Sequence, residues 1–159
     1  MIFNSPLEIG LRSLIILSNM KPQSCDIQRL IYYDYFLIHA SDIDNDYESI
    51  HPDTPYRSGE IAIKREVLHK GLVLLCKKDL INIEFLENGI YYKASELTEN
   101  FLNYFESSYF AKLNTMSKYI IEFFNDFSDE KLSNFVENKI RNWGVEFVKE
   151  SIIRGSMDA

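Results

Sequence analysis

The chain has 159 residues, 46% of them hydrophobic and 26% charged, with only 6 Gly and 4 Pro. That composition is globular, because a disordered chain lacks the apolar content that offsets its ordering entropy. A net charge of −7 argues against broad electrostatic capture of nucleic acid and leaves room for a local basic patch alone. No apolar run approaches the ~20 residues of a membrane-spanning helix. Met1-Ile2-Phe3-Asn4-Ser5-Pro6 lacks the basic start and long apolar stretch of a secretion signal. Cys25 and Cys76 lie far apart without CxxC spacing, which predicts free thiols in a reducing cytoplasm. Rings are plentiful, with 11 Phe, 10 Tyr and one Trp, and that much aromatic area suggests a core shared with another protein.

Ser5-Pro6-Leu7-Glu8 opens a first helix with capping-box spacing, Ser5 as N-cap, Pro6 at the first helical position and Glu8 reaching back. Leu7, Leu11, Leu14 and Ile15 recur at helical spacing up to Met20, and Lys21-Pro22-Gln23-Ser24 breaks the run. A second helix is predicted from Asp26 to His39. Its Ile27, Leu30, Ile31 and Ile38, with Tyr32, Tyr33, Tyr35 and Phe36, cover most of the circumference, so it is enclosed on several sides. Ala40 to Ser58, rich in Asp, Asn and Pro, reads as an unusually long loop. A third helix follows to about Lys78, with Ile61, Leu68, Leu72 and Leu75 on one face and Arg65, Glu66, His69, Lys70 and Lys77 on the other.

Ile81 to Phe85 alternates, Asn88-Gly89 reads as a two-residue turn, and Ile90 to Lys93 returns. That turn sets Phe85 opposite Tyr92 and Glu84 opposite Lys93. Three helices followed by a hairpin is the winged-helix order. Beyond it, Ser95 with Glu96 and Glu99 caps a helix whose apolar pattern runs from Leu97 to Phe127, continuous or once broken. Ser128-Asp129-Glu130 starts a last helix with Leu132, Phe135, Val136, Ile140, Trp143 and Phe147. The expected fold is α+β, mostly α: a winged-helix domain over residues 1–94, a helical extension over 95–154, and a flexible tail over 155–159.

Asn4-Ser5-Pro6-Leu7-Glu8-Ile9-Gly10-Leu11-Arg12, Asp34-Tyr35-Phe36-Leu37-Ile38-His39, His51-Pro52-Asp53-Thr54-Pro55-Tyr56-Arg57-Ser58-Gly59-Glu60, Lys64-Arg65-Glu66 and Gly71-Leu72 together resemble a known family. It is the second family of middle components of bacterial ABC-three-component systems. The resemblance spans roughly residues 3 to 125, and the block from His51 to Glu60 is its most specific part; Lys64 departs from a more usual arginine. Such systems join an SMC-like or RecN-like ATPase, a small middle component and a toxic effector, commonly a nuclease, and Lamassu-type anti-phage and anti-plasmid modules belong among them. The resemblance implies no catalytic residue and no cofactor.

Several residue clusters invite sharper readings, each with a plainer one beside it. Asp42, Asp44 and Asp46 begin like a calcium loop with Asp53 in twelfth place. However, Tyr47 stands where the sharp turn demands glycine, and the final ligand should be Glu. Neither cysteine has zinc-ligand spacing to His39 or His51, so a solvated acidic loop is expected and no metal. Asp34 with His39 and His51 could serve as an acid/base set. The plainer expectation is that Asp34 accepts hydrogen bonds from a tyrosine hydroxyl or Arg57, since buried charge must be paired. No nucleophile elbow, phosphate-binding loop or HExxH motif occurs.

DNA reading competes more seriously. Arg65, His69, Lys70 and Lys77 form a basic face, yet Glu66 lies among them and the wing carries Glu84 and Glu87, which oppose phosphate binding. The block ending at Glu60 presents His51, Tyr56, Arg57 and Glu60 on a proline-stiffened segment, which suits partner binding because little entropy is lost on docking. Phe124, Phe127 and Trp143 add apolar area that a two-helix extension would struggle to hide, a second partner surface. The expectation is therefore a cytoplasmic, non-catalytic adaptor that links an SMC-like ATPase to an effector nuclease and restrains it, touching DNA only through the complex and needing no cofactor. The alternative is a DNA-binding winged-helix transcriptional regulator.

Overall fold

The structure, a computed structural model, describes residues 5–44, 46–52 and 57–139. Helix α1 (Pro6–Met20) starts at Ser5, whose Oγ accepts the Glu8 amide at 3.2 Å, with Pro6 in its first turn. The Glu8 carboxylate is turned to the Tyr109 hydroxyl, which donates to it at 3.3 Å. Asp26 caps α2 (Ile27–Ile38) by accepting the Arg29 amide at 2.9 Å. Nearly every α2 side chain from Leu30 onward is buried, as its all-round apolar pattern requires. A single 3-10 turn over Ala40–Asp42 relieves the long loop of part of its length. Helix α3 (Arg57–Lys77) buries Leu68, Leu72 and Leu75.

Strands β1 (Cys25–Asp26), β2 (Ile81–Leu86) and β3 (Gly89–Ala94) form one antiparallel sheet in the order β1-β3-β2. The hairpin register corrects the sequence expectation: Phe85 faces Ile90 and Glu84 faces Tyr91. The turn is made by Glu87 and Asn88, and Gly89, at φ +138°, already begins the return strand. A slip of two positions keeps every side chain on its own face. Glu84 and Lys93 therefore still meet, now diagonally, at 2.8 Å.

Beyond the sheet, the predicted long helix is broken into α4 (Thr98–Leu102) and α5 (Ser108–Phe123), and α6 occupies residues 129–139. Ser95 does not cap α4. Its Oγ donates to the Asp79 carbonyl and the Thr98 hydroxyl donates to the Leu80 carbonyl, so the pair fastens the end of β3 to the turn before β2. Ser107 caps α5 and Ser128 accepts the Lys131 amide at the start of α6.

α1 is the packing centre, lying against α2, α3 and α5. Gly10 and Gly71 permit the closest approach, since a Cβ on Gly71 would stand 2.6 Å from the Pro6 carbonyl oxygen. One continuous hydrophobic core joins α1, α2, α3 and the sheet to Leu113, Ile120, Phe124, Leu132 and Val136 of the later helices, so residues on either side of position 94 share it. The chain is thus mostly helical α+β with a small antiparallel sheet. Among the described residues no helix is long and apolar enough to cross a membrane.

Candidate functional site

Three charged side chains meet inside the molecule. Arg12 lies on the side of α1 that faces α2, and Lys64 lies one turn before Leu68 on the buried stripe of α3. α2 is enclosed all round, so Asp34 has no water to turn to. The result is a triad: Arg12 Nε reaches Asp34 Oδ1 at 2.7 Å, Arg12 Nη2 reaches Oδ2 at 3.0 Å, and Lys64 Nζ reaches Oδ2 at 2.8 Å. Burial alone would push the Asp34 carboxyl up, but the two cations outweigh it and hold it well below the usual carboxylate range.

The network extends outward on both sides. Glu60, one turn before Lys64, sits 3.7 Å from its Nζ and 3.0 Å from His39 Nε2. Burial raises the Glu60 carboxyl, and the His39 contact with the Lys64 charge brings it below its ordinary value. On the other side His51 Nε2 is 2.8 Å from the Tyr109 hydroxyl, tying the loop before α3 to α5. Burial, then the Arg12 and His39 charges, press the His51 imidazole down to about 4, so it is neutral at ordinary pH. Two carboxylates of the Asp-rich loop are engaged within the fold: Asp42 accepts the Tyr35 hydroxyl at 2.5 Å and Asp44 accepts the Asp46 amide at 3.0 Å. Among the described residues no three His, Cys, Asp or Glu side chains are gathered to hold a metal ion.

These placements revise several sequence expectations. Asp34 is held by Arg12 and Lys64 and not by a tyrosine hydroxyl. His51 is buried and Glu60 is mostly so, hence both fasten the segment to the core and are not offered at the surface. Phe124 is fully buried, in ring contact with Tyr33 (5.7 Å), Phe36 (5.4 Å), Phe127 (5.1 Å) and Phe135 (5.5 Å). α5 and α6 cover the flank of α2 and find there the aromatic partners that were expected from another protein. Phe127 is half-buried in the same cluster. Tyr56 and Trp143 lie outside the described residues; Arg57 begins α3 and its side chain is likewise outside them.

Arg65, His69, Lys70 and Lys77 are all exposed on α3. Arg65 donates to Gln28 at 2.6 Å, and Lys70 sits 3.7 Å from Glu66. Arg12 and Lys64 are the residues that sequence reasoning passed over. A signal was present: each is a lone cation on a helical stripe of otherwise apolar positions, which forces a buried counter-charge.

The fold and its ionic core define a small, mostly helical α+β protein whose first three helices are pinned together at one carboxylate. The family model that matches residues 2–146 is the ABC-three component (ABC-3C) system Middle Component 2, and the chain belongs to that family. The match runs past position 125 into the aromatic helices, which are thus part of the family's domain. No curated protein and no solved structure matches the chain.

Proposed function

We propose that this chain is a non-catalytic adaptor. It links an SMC-like ABC ATPase to an effector nuclease and restrains the effector until foreign DNA is sensed, within a Lamassu-like anti-phage or anti-plasmid module of the cytoplasm. Family membership across residues 2–146 carries the reading, because a middle component of a multi-component ABC system works through protein partners. The element order α1-β1-α2-α3-β2-β3, with β1 paired to β3, supports a winged-helix description. The likeness to the winged-helix subunits that accompany kleisins in SMC complexes is an analogy of fold alone. The buried carboxylate of Asp34 is engaged by two cations of its own chain, which joins the first three helices and is in keeping with the adaptor reading.

Co-expression tests this. A tagged chain is expected to retain an untagged SMC-like ATPase of the same system, and to suppress DNA cleavage by the effector when added back. A chain that purifies alone and leaves the effector's activity unchanged overturns the adaptor.

The exposed row Arg65, His69, Lys70 and Lys77 favours one other reading, a DNA-binding regulator. Filter binding of duplex DNA against salt separates the two. Three permanent cations on that face would give a log–log slope of about −3, whereas the adaptor shows no saturable binding by itself.

A further inference from the structure

We infer that the cleft between α1 and α5 receives one bulky apolar side chain of a basic, amphipathic helix on a protein partner. This deepens the adaptor reading and rests on it for the existence of such a partner.

The cleft holds about 260 Å³. α1 supplies Leu7, Leu11 and Ile15 at successive turns, and α5 with the turn before it supplies Phe105, Phe110 and Leu113. Two packed helices with an apolar seam open between them are the groove into which a third helix lays its i, i+3, i+4 face. The volume falls below the roughly 300–1,000 Å³ of small-molecule sites and suits an anchor side chain of the kind that dominates protein interfaces. The mouth is apolar too: Leu7 is 62% exposed and Phe105 37%.

Charge selects the partner. The Arg12 guanidinium at the floor is neutralised by Asp34, and the Glu8 carboxylate accepts the Tyr109 hydroxyl at 3.3 Å. Glu8 itself lines the cleft. Glu106, between the lining residues Phe105 and Ser107, is exposed, while Lys112, the next cation along the chain, lines a separate cleft with Glu48 and Ile50. An approaching helix therefore meets the carboxylates of Glu8 and Glu106, and lysine or arginine beside its apolar anchor complements them.

The test uses the full chain and a fluorescein-labelled 18-residue helical peptide built of Leu and Lys, with a Leu and Glu peptide of the same pattern as control, read by anisotropy. Leu11→Trp fills the cleft, and Glu8→Gln removes its carboxylate while keeping an acceptor for Tyr109. The Leu/Lys peptide is expected to bind saturably, about tenfold more weakly to Leu11→Trp, severalfold more weakly to Glu8→Gln, and the Leu/Glu peptide at least tenfold more weakly to wild type. Equal affinities for the two peptides, or for wild type and Leu11→Trp, overturn the proposal. A concentration-dependent dimer that Leu11→Trp abolishes also overturns it, assigning the cleft to a second copy of this chain. If circular dichroism shows Leu11→Trp unfolded, Leu7→Ser on the exposed rim takes its place, with a loss of about threefold expected and an unchanged affinity counting against the cleft. An ATPase and an effector that both co-purify with Leu11→Trp as well as with wild type sink the cleft and leave the adaptor standing. A wild type that retains no ATPase sinks the adaptor, while the peptide arms still decide the cleft.

Discussion

Lys64 Nζ on α3 stands 2.8 Å from Asp34 Oδ2 on α2, and neither side chain is more than 2% exposed. Arg12 of α1 takes both oxygens of the same carboxylate, so three helices converge on one buried anion. Such an arrangement adds little net stability over an apolar core, but it makes each member costly to remove alone.

Asp34→Asn should therefore leave two buried cations short of a counter-charge and destabilise the chain by about 3–5 kcal/mol. For a chain of this length that lowers the melting temperature by roughly 10 °C. The triple replacement Arg12→Met, Asp34→Leu, Lys64→Met should recover most of the loss, as measured by urea denaturation of both variants. A loss under about 1 kcal/mol for Asp34→Asn would show that water reaches the triad.

His51 sets part of the acid sensitivity. Its imidazole titrates near 4 when folded and near 6.5 when unfolded, so between those values the unfolded chain binds a proton that the folded chain refuses. Stability then falls as pH drops from about 6.5 to 4, by up to about 3 kcal/mol. The depressed carboxyls of Asp34 and Glu60 add a further loss below the ordinary carboxylate range, because their stabilisation is present above it. His51→Gln should flatten the upper part of this slope, seen by comparing unfolding free energies of wild type and variant at pH 4.5 and pH 7. An unaltered slope would place the acid transition elsewhere.

The two glycines at the α1–α3 crossing should respond unequally to alanine. At Gly71 a Cβ would meet the Pro6 carbonyl oxygen at 2.6 Å and the Gly10 backbone at 3.1 Å, so Gly71→Ala forces the helices apart and costs about 1–3 kcal/mol. At Gly10 the nearest atoms lie at 3.4 Å, ordinary contact, and the gain in helix propensity makes Gly10→Ala neutral within about 1 kcal/mol. Thermal melts of the two variants side by side decide this; equal costs would contradict the geometry.

Phe124 and Phe85 offer a contrast of the same residue type. Phe124→Ala removes the hub of the ring cluster and should cost about 3–5 kcal/mol. Phe85, 78% exposed on β2, should change stability by less than about 0.5 kcal/mol on replacement by serine. Chemical denaturation of each variant reads the difference directly.

The local features of this chain were legible without coordinates. Ser5, Asp26 and Ser128 mark helix starts because a cap bonds an amide only two or three residues away. The enclosure of α2 follows from its own ring-covered circumference, and the paired Leu68, Leu72 and Leu75 of α3 from their spacing. Tertiary structure decided what depends on distant partners. Residues 22 and 30 positions apart in sequence had to be brought together before Asp34 could find Arg12 and Lys64. The register of β2 against β3 turned on which two residues made the bend, since two neighbouring choices keep the same faces. The rings of α5 and α6 looked surplus because periodicity shows that a side chain will be buried, never against what. Only the packed molecule shows that the flank of α2 was waiting for them.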